Sequence, residues 1–327
     1  MIEAVPDFTE EDIQRMLDNL DSFTEEEVVE VDRLVEELSV RKQNQLAYDD
    51  LIDFCIAMMP DFIVGKHHRI LADRLMAIER GDKDRVCVNI PPRHGKSQLV
   101  SIFYPAWFLG RNPNKKVMMV SHTTDLAVDF GRKVRNLIAT PEYKAIFPVV
   151  KLAVDSKSAG RWNTSAGGEY YACGVGSALA GRGADLLLVD DPHSEQDVIN
   201  GNFSVFEKTY EWYTFGARTR LMPGGRVAII QTRWHMDDLT GRVVKDMAQN
   251  ERSDQFEVIE FPAILEFEDN KSEEIIEKPL WPEFFDLEAL LRTKASMPTF
   301  QWNAQYQQKP TAEEASIVKR EWWNWWG

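Results

Sequence analysis

Three features of the chain predict an α/β fold, a mostly parallel sheet with helices on both faces. From residue 85 onward, short apolar β-rich runs alternate with stretches of helical pattern. Several of those runs end abruptly in polar groups, as at Asp190-Asp191 and Gln231-Thr232. One breaks at Pro91-Pro92 and enters Gly95-Lys96-Ser97 at the head of a helical stretch. The 327 residues suffice for one large domain with additions or for two modest ones.

Taken in order, the acidic start carries Thr24-Glu25-Glu26-Glu27 and Glu36-Glu37 among Val28, Val31, Leu34, Val35 and Leu38. That pattern predicts an amphipathic, solvated helical segment covering a core. The first strand is expected over 86–90, followed by a helix over 96–109 in which Pro105 makes a kink or an early end. A second strand is expected over 116–121. The next helix, 123–138, opens on the capping candidates Thr123, Thr124 and Asp125. Gly167-Gly168 reads as a turn into a strand over 169–173, and Leu186 to Val189 as a fully apolar strand. A helical stretch over 202–221 leads through Pro223-Gly224-Gly225 into a strand over 226–231, and 235–248 is helical again. Beyond residue 250 the pattern is less regular, with a strand near 256–260 and helices near 287–294 and 300–308.

Composition excludes several classes. No stretch approaches the ~18–20 uncharged apolar residues that cross a bilayer, and the acidic start is unlike a signal peptide. Cys55, Cys87 and Cys173 are far apart and form no Cys-x-x-Cys pair, so they read as small buried hydrophobes rather than a disulfide framework or zinc site. A formal net charge of −15 argues against a broad basic surface that coats nucleic acid. His67-His68 lie near Phe62 and Arg69, where adenine contacts would be expected if the chain enters beside the first strand; lacking the further His or Cys partners of a metal site, they read as surface or core histidines.

The chemistry concentrates at three strand ends. In Pro91-Pro92-Arg93-His94-Gly95-Lys96-Ser97-Gln98, successive backbone N–H groups and the positive end of the following helix would converge on phosphates. Lys96 would reach the β/γ oxygens and Ser97 would hold Mg²⁺. The full phosphate-loop pattern has glycine five residues before Gly95, where this chain has Ile90. The second strand end delivers two carboxylates: Asp190 suits the Mg²⁺ shell, and Asp191 the base that polarises water, with Glu195 as a substitute. This is the division of labour of an ASCE-type nucleotide hydrolase. At the third, Thr232 or Gln231 would sense the γ-phosphate. Arg93 could clamp a phosphate or pair with a sheet-edge carboxylate, and Arg182, between Gly181 and Gly183, could act as an arginine finger toward a neighbouring subunit.

Together, Pro91 to Ser97, Asp190-Asp191-Pro192-His193 and Gln231-Thr232-Arg233-Trp234-His235-Met236-Asp237-Asp238-Leu239 resemble the ATPase domain of the large terminase subunit of tailed bacteriophages. Phe300 to Pro310 is similar to that family's segment between ATPase core and nuclease, so the resemblance spans roughly residues 45 to 325. It implies a RecA-like P-loop fold with a small lid, and three regions: an acidic helical segment (1–45), the ATPase core (46–250), and a lid and linker (251–327). It implies ATP and Mg²⁺ as ligands. The implied partners are double-stranded DNA, a portal protein and a small terminase subunit, around a homo-oligomeric, usually pentameric ring. The place of action would be the procapsid portal in the cytoplasm of the infected bacterial host, with no membrane. The family's nuclease is not expected in these residues. Arg132, Lys133 and Arg135 are candidates for contacting DNA. A helicase-like ATPase and a non-hydrolysing nucleotide-binding assembly protein are the competing readings, the first weakened by the short, irregular stretch after residue 250.

Overall fold

The computed structural model describes residues 10–19, 22–154, 156, 158–199, 203–268 and 275–311. The tryptophan-rich end, Trp322 to Trp326, lies outside the described residues. The chain enters through four helices: α1 (Glu10–Leu17), α2 (Glu25–Asp49), α3 (Leu51–Met58) and α4 (Lys66–Arg80). A capping box starts α2: the Thr24 hydroxyl accepts from the Glu27 N–H, and the Glu27 carboxylate accepts from the Thr24 N–H at 2.8 Å. Only Val31, Leu34 and Ala47 of α2 are buried, so this helix is mainly solvated, as its acidic pattern predicts. Asp50 then ends α2 and caps α3, accepting from Ile52 N at 2.7 Å and Asp53 N at 3.1 Å, which turns the chain into the core.

The core alternates strand and helix. β1 (Arg85–Asn89) leads through a π-helical segment, Gln98–Phe103, into α5 (Tyr104–Arg111). The kink expected at Pro105 is therefore resolved by the wider turn before it. Pro105 sits in the first turn of α5, directly after the π-helical segment. Then come β2 (Lys116–Ser121), α6 (Thr124–Ala139) capped by Thr123, and α7 (Pro141–Ile146). β3 (Arg161–Asn163) and β4 (Glu169–Gly174) follow. After β5 (Ala184–Asp190) come α8 (Glu195–Ile199), α9 (Ser204–Glu211) and a π segment, Trp212–Ala217. The turn read at Pro223-Gly224-Gly225 is a bulge inside β6 (Leu221–Gln231): Ala184 pairs with Leu221, but Leu186 with Arg226, and Gly224 takes φ +76°. α10 (Leu239–Gln249), β7 (Glu257–Glu260), the hairpin β8 (Ile264–Glu268) and β9 (Ile275–Pro279), α11 (Leu287–Ala295) and α12 (Thr299–Gln305) complete the described chain.

Seven strands form one sheet in the order β3-β4-β2-β5-β6-β1-β7, parallel except for β3. Both faces are covered, and the side chains divide between them with period two. Val86, Val88, Leu186, Leu188, Ala228 and Ile230 pack under α3 to α6. Cys87, Leu187, Val189, Val227 and Ile229 pack under the π segment after α9 and under α10. All three cysteines are free and buried.

The order also sets the site. The chain leaves β1, builds β2, β4 and β5 to one side, and returns with β6 between β5 and β1. This is the RecA-like (ASCE) arrangement, and it brings the ends of β1, β6 and β5 side by side, with Asn89 opposite Gln231 and Asp190 opposite Ile230. Ligands collect at such carboxyl edges, where the winding changes direction.

Candidate functional site

The loop after β1 is shaped from beneath by three histidines. Nε2 of His67 and Nε2 of His68 lie 3.1 and 3.0 Å from the carbonyl oxygen of His94. The Gly65 N–H donates to Nδ1 of His68 at 3.0 Å, so His68 carries its proton on Nε2 and donates it to that carbonyl. His94 Nδ1 lies 2.8 Å from the Pro92 carbonyl and donates to it. Burial pushes all three imidazoles down to about 4, so they are neutral at pH 7. Gly95 takes φ +78°, and a Cβ there would sit 2.2 Å from His68 Nε2. Glycine is thus required twice, by backbone conformation and by contact.

Lys96 is buried, its Nζ 2.9 Å from Asp191 Oδ2 and 3.1 Å from Thr232 Oγ1. Burial alone would lower the ammonium, but Asp191 and Asp190 outweigh it and hold Lys96 above its ordinary value. Asp190 is raised to about 6, first by burial and then by the Asp191 charge. Its Oδ2 accepts from Ser101 Oγ at 2.6 Å, while its Oδ1 is buried without a hydrogen-bond partner. Asp191 takes φ +43°, and its Oδ1 accepts from the Thr232 N–H at 2.8 Å. The Thr232 hydroxyl donates to the Ile90 carbonyl at 3.1 Å. Lys96, Asp191 and Thr232 are therefore one cluster tying the ends of three adjacent strands.

Above the loop lies a cleft of about 800 Å³. Arg93, Gly95, Lys96, Ser97 and Gln98 line it together with Asp61, Phe62, Ile63, Trp281 and Phe284. Trp281 and Phe284 stack with centroids 4.4 Å apart and planes 17° apart.

Not every sequence-predicted residue reaches this cleft. The His94 side chain is turned beneath the loop, where it stacks on Phe285, because burying its ring also satisfies its Nδ1–H. Arg182 is not brought here. It pairs with Glu169 at 3.3 Å, at the start of β4 on the opposite edge of the sheet, and lies over the Tyr171 ring. Glu195 is exposed at the start of α8. Arg132 and Lys133 are engaged with Asp129 on their own helix. His67 and His68, expected as surface or core residues beside an adenine-contacting segment, hold the loop carbonyl. Trp281 and Phe284 carried no sequence signal, whereas Ser101, one helical turn past Ser97, could have been found from spacing.

Residues 87–201 match the family described as terminase large subunit, T4likevirus-type, N-terminal. Over these residues the chain is similar to that large-terminase N-terminal family. The matched terminase segment contains the loop around Lys96 and the Asp190-Asp191 pair, whereas Thr232, Trp281 and Phe284 lie beyond it. A search of curated proteins returns no match. Among solved structures, the large-terminase ATPase domain of Thermus phage P74-26 is similar over 72% of this chain and 92% of that one, at 17% identity and a TM-score of 0.44. The HK97 bacteriophage large terminase is similar over 77% of this chain, at 13% identity and a TM-score of 0.47. A large terminase from a thermophilic bacteriophage in complex with ADP is similar over 72% of this chain, at 10% identity and a TM-score of 0.42. The chain spans about half, 52%, of each of these last two terminase chains. Among the described residues, no helix is long and apolar enough to cross a membrane.

Proposed function

We propose that this chain is the ATP-hydrolysing part of a large-terminase motor that drives double-stranded viral DNA into a procapsid. The observation that carries this reading is the position of the Lys96 ammonium, shared between Asp191 and Thr232 at the junction of β1, β6 and β5. A triphosphate laid on the loop would meet Lys96 and the backbone N–H groups of residues 94–98, and would compete with Asp191 for the ammonium. Asp191, released, would be free to orient the attacking water, while Thr232 would register the change on Lys96. Phe62 and the stacked Trp281 and Phe284, which line the same cleft, offer an apolar surface for a purine.

Magnesium fits this oxygen set. Ser97 and Asp190 are hard donors, and the partnerless Asp190 Oδ1 is a buried carboxylate oxygen with capacity to spare. When bound, the ion supplies charge neutralisation on the phosphates. Partners are proposed at the level of the family: DNA, a portal protein, a small terminase subunit and further copies of the chain in a ring, at the portal in the host cytoplasm.

The test is steady-state ATP hydrolysis by the chain and by Lys96→Ala over a protein-concentration series, with and without double-stranded DNA. Hydrolysis lost in the variant and rising more than linearly with concentration supports a motor completed by its neighbours. ATP binding without turnover at any concentration or with DNA favours the non-hydrolysing assembly reading.

A further inference from the structure

The Thr232-Arg233 peptide is gripped from both sides. On one side Thr232 touches Lys96 through its hydroxyl and Asp191 through its N–H. On the other, the next N–H in the chain, that of Arg233, donates to Oε1 of Gln308 at 3.2 Å. Gln308 is 1% exposed, takes φ +58° and donates from Nε2 to the Gln305 carbonyl at 2.5 Å. A buried residue held in the left-handed region with both ends of its amide used is over-determined, and such positions mark switch and coupling points. The segment holding it is itself fastened: Gln307 makes two bonds to the Ile264 backbone, both 3.2 Å, and the Tyr306 carbonyl accepts from Ala263 N at 2.7 Å.

The rest of the turn offers little give. The Arg233 guanidinium is buried on Asp238 at 2.9 Å, and Asp238 also accepts from Trp234 N and Gly241 N. A displacement of Thr232 cannot be absorbed inside residues 233–241 without breaking that buried network, so it reaches the next contact, Gln308.

We infer that Gln308 is a positioning residue that relays the state of the nucleotide edge to the strap of residues 306–311 following α12. The inference rests on the proposed nucleotide site. When a γ-phosphate takes Lys96 from Asp191 and Thr232, the Arg233 N–H moves and the strap moves with it. A diphosphate offers Lys96 the β oxygens alone, so it loosens the cluster less and the strap moves less. The two nucleotides are thereby read out about 75 residues further along the chain, the separation of Arg233 and Gln308.

The experiment is amide hydrogen exchange on the full chain with ATPγS, with ADP and without nucleotide, for the native sequence and for Gln308→Asn. Asparagine tolerates the positive φ but is one methylene too short to reach the Arg233 N–H. The expected result is protection at residues 91–98 with both nucleotides. At residues 303–311 the native chain should show an ATPγS-against-ADP difference of about threefold or more in exchange rate, falling below about 1.5-fold in the variant while 91–98 still responds. Equal exchange at 303–311 with both nucleotides in the native chain overturns the relay whether or not the variant folds, and so does a variant whose response is unchanged. Absence of protection at 91–98 overturns the nucleotide site itself, and the relay with it.

Discussion

Replacing His68 with glutamine keeps a donor toward the His94 carbonyl and an acceptor for the Gly65 N–H, but removes a titratable ring from beneath the phosphate loop. His68 is fully buried and neutral, its value pushed down to about 4 by burial. The unfolded chain has it at the ordinary 6.5, so between pH 6.5 and 4 the unfolded state binds the proton more tightly and stability falls as pH drops. At pH 7 the linked loss is small, and at pH 5 it is on the order of 2 kcal/mol, so the single site should remove roughly that much across the interval. His68→Gln should therefore lose less stability than the native chain between pH 7 and pH 5, by on the order of 2 kcal/mol. The assay is urea unfolding of both proteins at pH 7, 6 and 5, comparing differences so that the carboxylates common to both cancel. Parallel stability profiles would refute the claim that His68 is held neutral by its place under the loop.

The remaining predictions concern the same site. Gly95→Ala should destabilise by about 2 kcal/mol or more, from the left-handed backbone and the displacement of His68, and a double-mutant cycle with His68→Ala should recover about 1 kcal/mol of that loss. Ser101→Ala strips the donor from the buried Asp190 Oδ2 and should cost about 2 kcal/mol in thermal or urea unfolding, although Ser101 lies one turn beyond the loop. Phe284→Ala, at a half-exposed residue, should leave folding intact and weaken ATPγS binding about fivefold, with inorganic triphosphate binding unchanged; equal losses for both ligands would remove the base-stacking role.

Much of the scaffold was readable because its signals are local. The apolar runs ending in Lys116–Ser121, Asp190-Asp191 and Gln231 are strands whose side chains alternate between two covered faces, and each run carries its own boundaries. Thr123 caps α6 from within one turn, as its position before the helical pattern predicts. Helices α3 and α4 went unread: α3 is apolar on nearly every side because it is buried among other helices, which erases the periodicity that marks a surface helix. The hairpin β8–β9 went unread because most of its residues are charged or exposed and it pairs only with itself.

By itself the sequence determined the alternating sheet, the Gly95-Lys96-Ser97 loop after the first strand and the two carboxylates at a strand end, since each depends on residues within a few positions of one another. The tertiary structure alone decided that β6 returns between β1 and β5, which sets Thr232 against Lys96 across 136 residues and leaves Arg182 at the far edge with Glu169. It alone placed His67 and His68 against the His94 carbonyl, Trp281 against all three histidine rings and Gln308 on the Arg233 N–H. Such contacts join residues far apart in the chain, and no local pattern encodes them. They exist because buried polar groups must find partners wherever the packed layers bring them together.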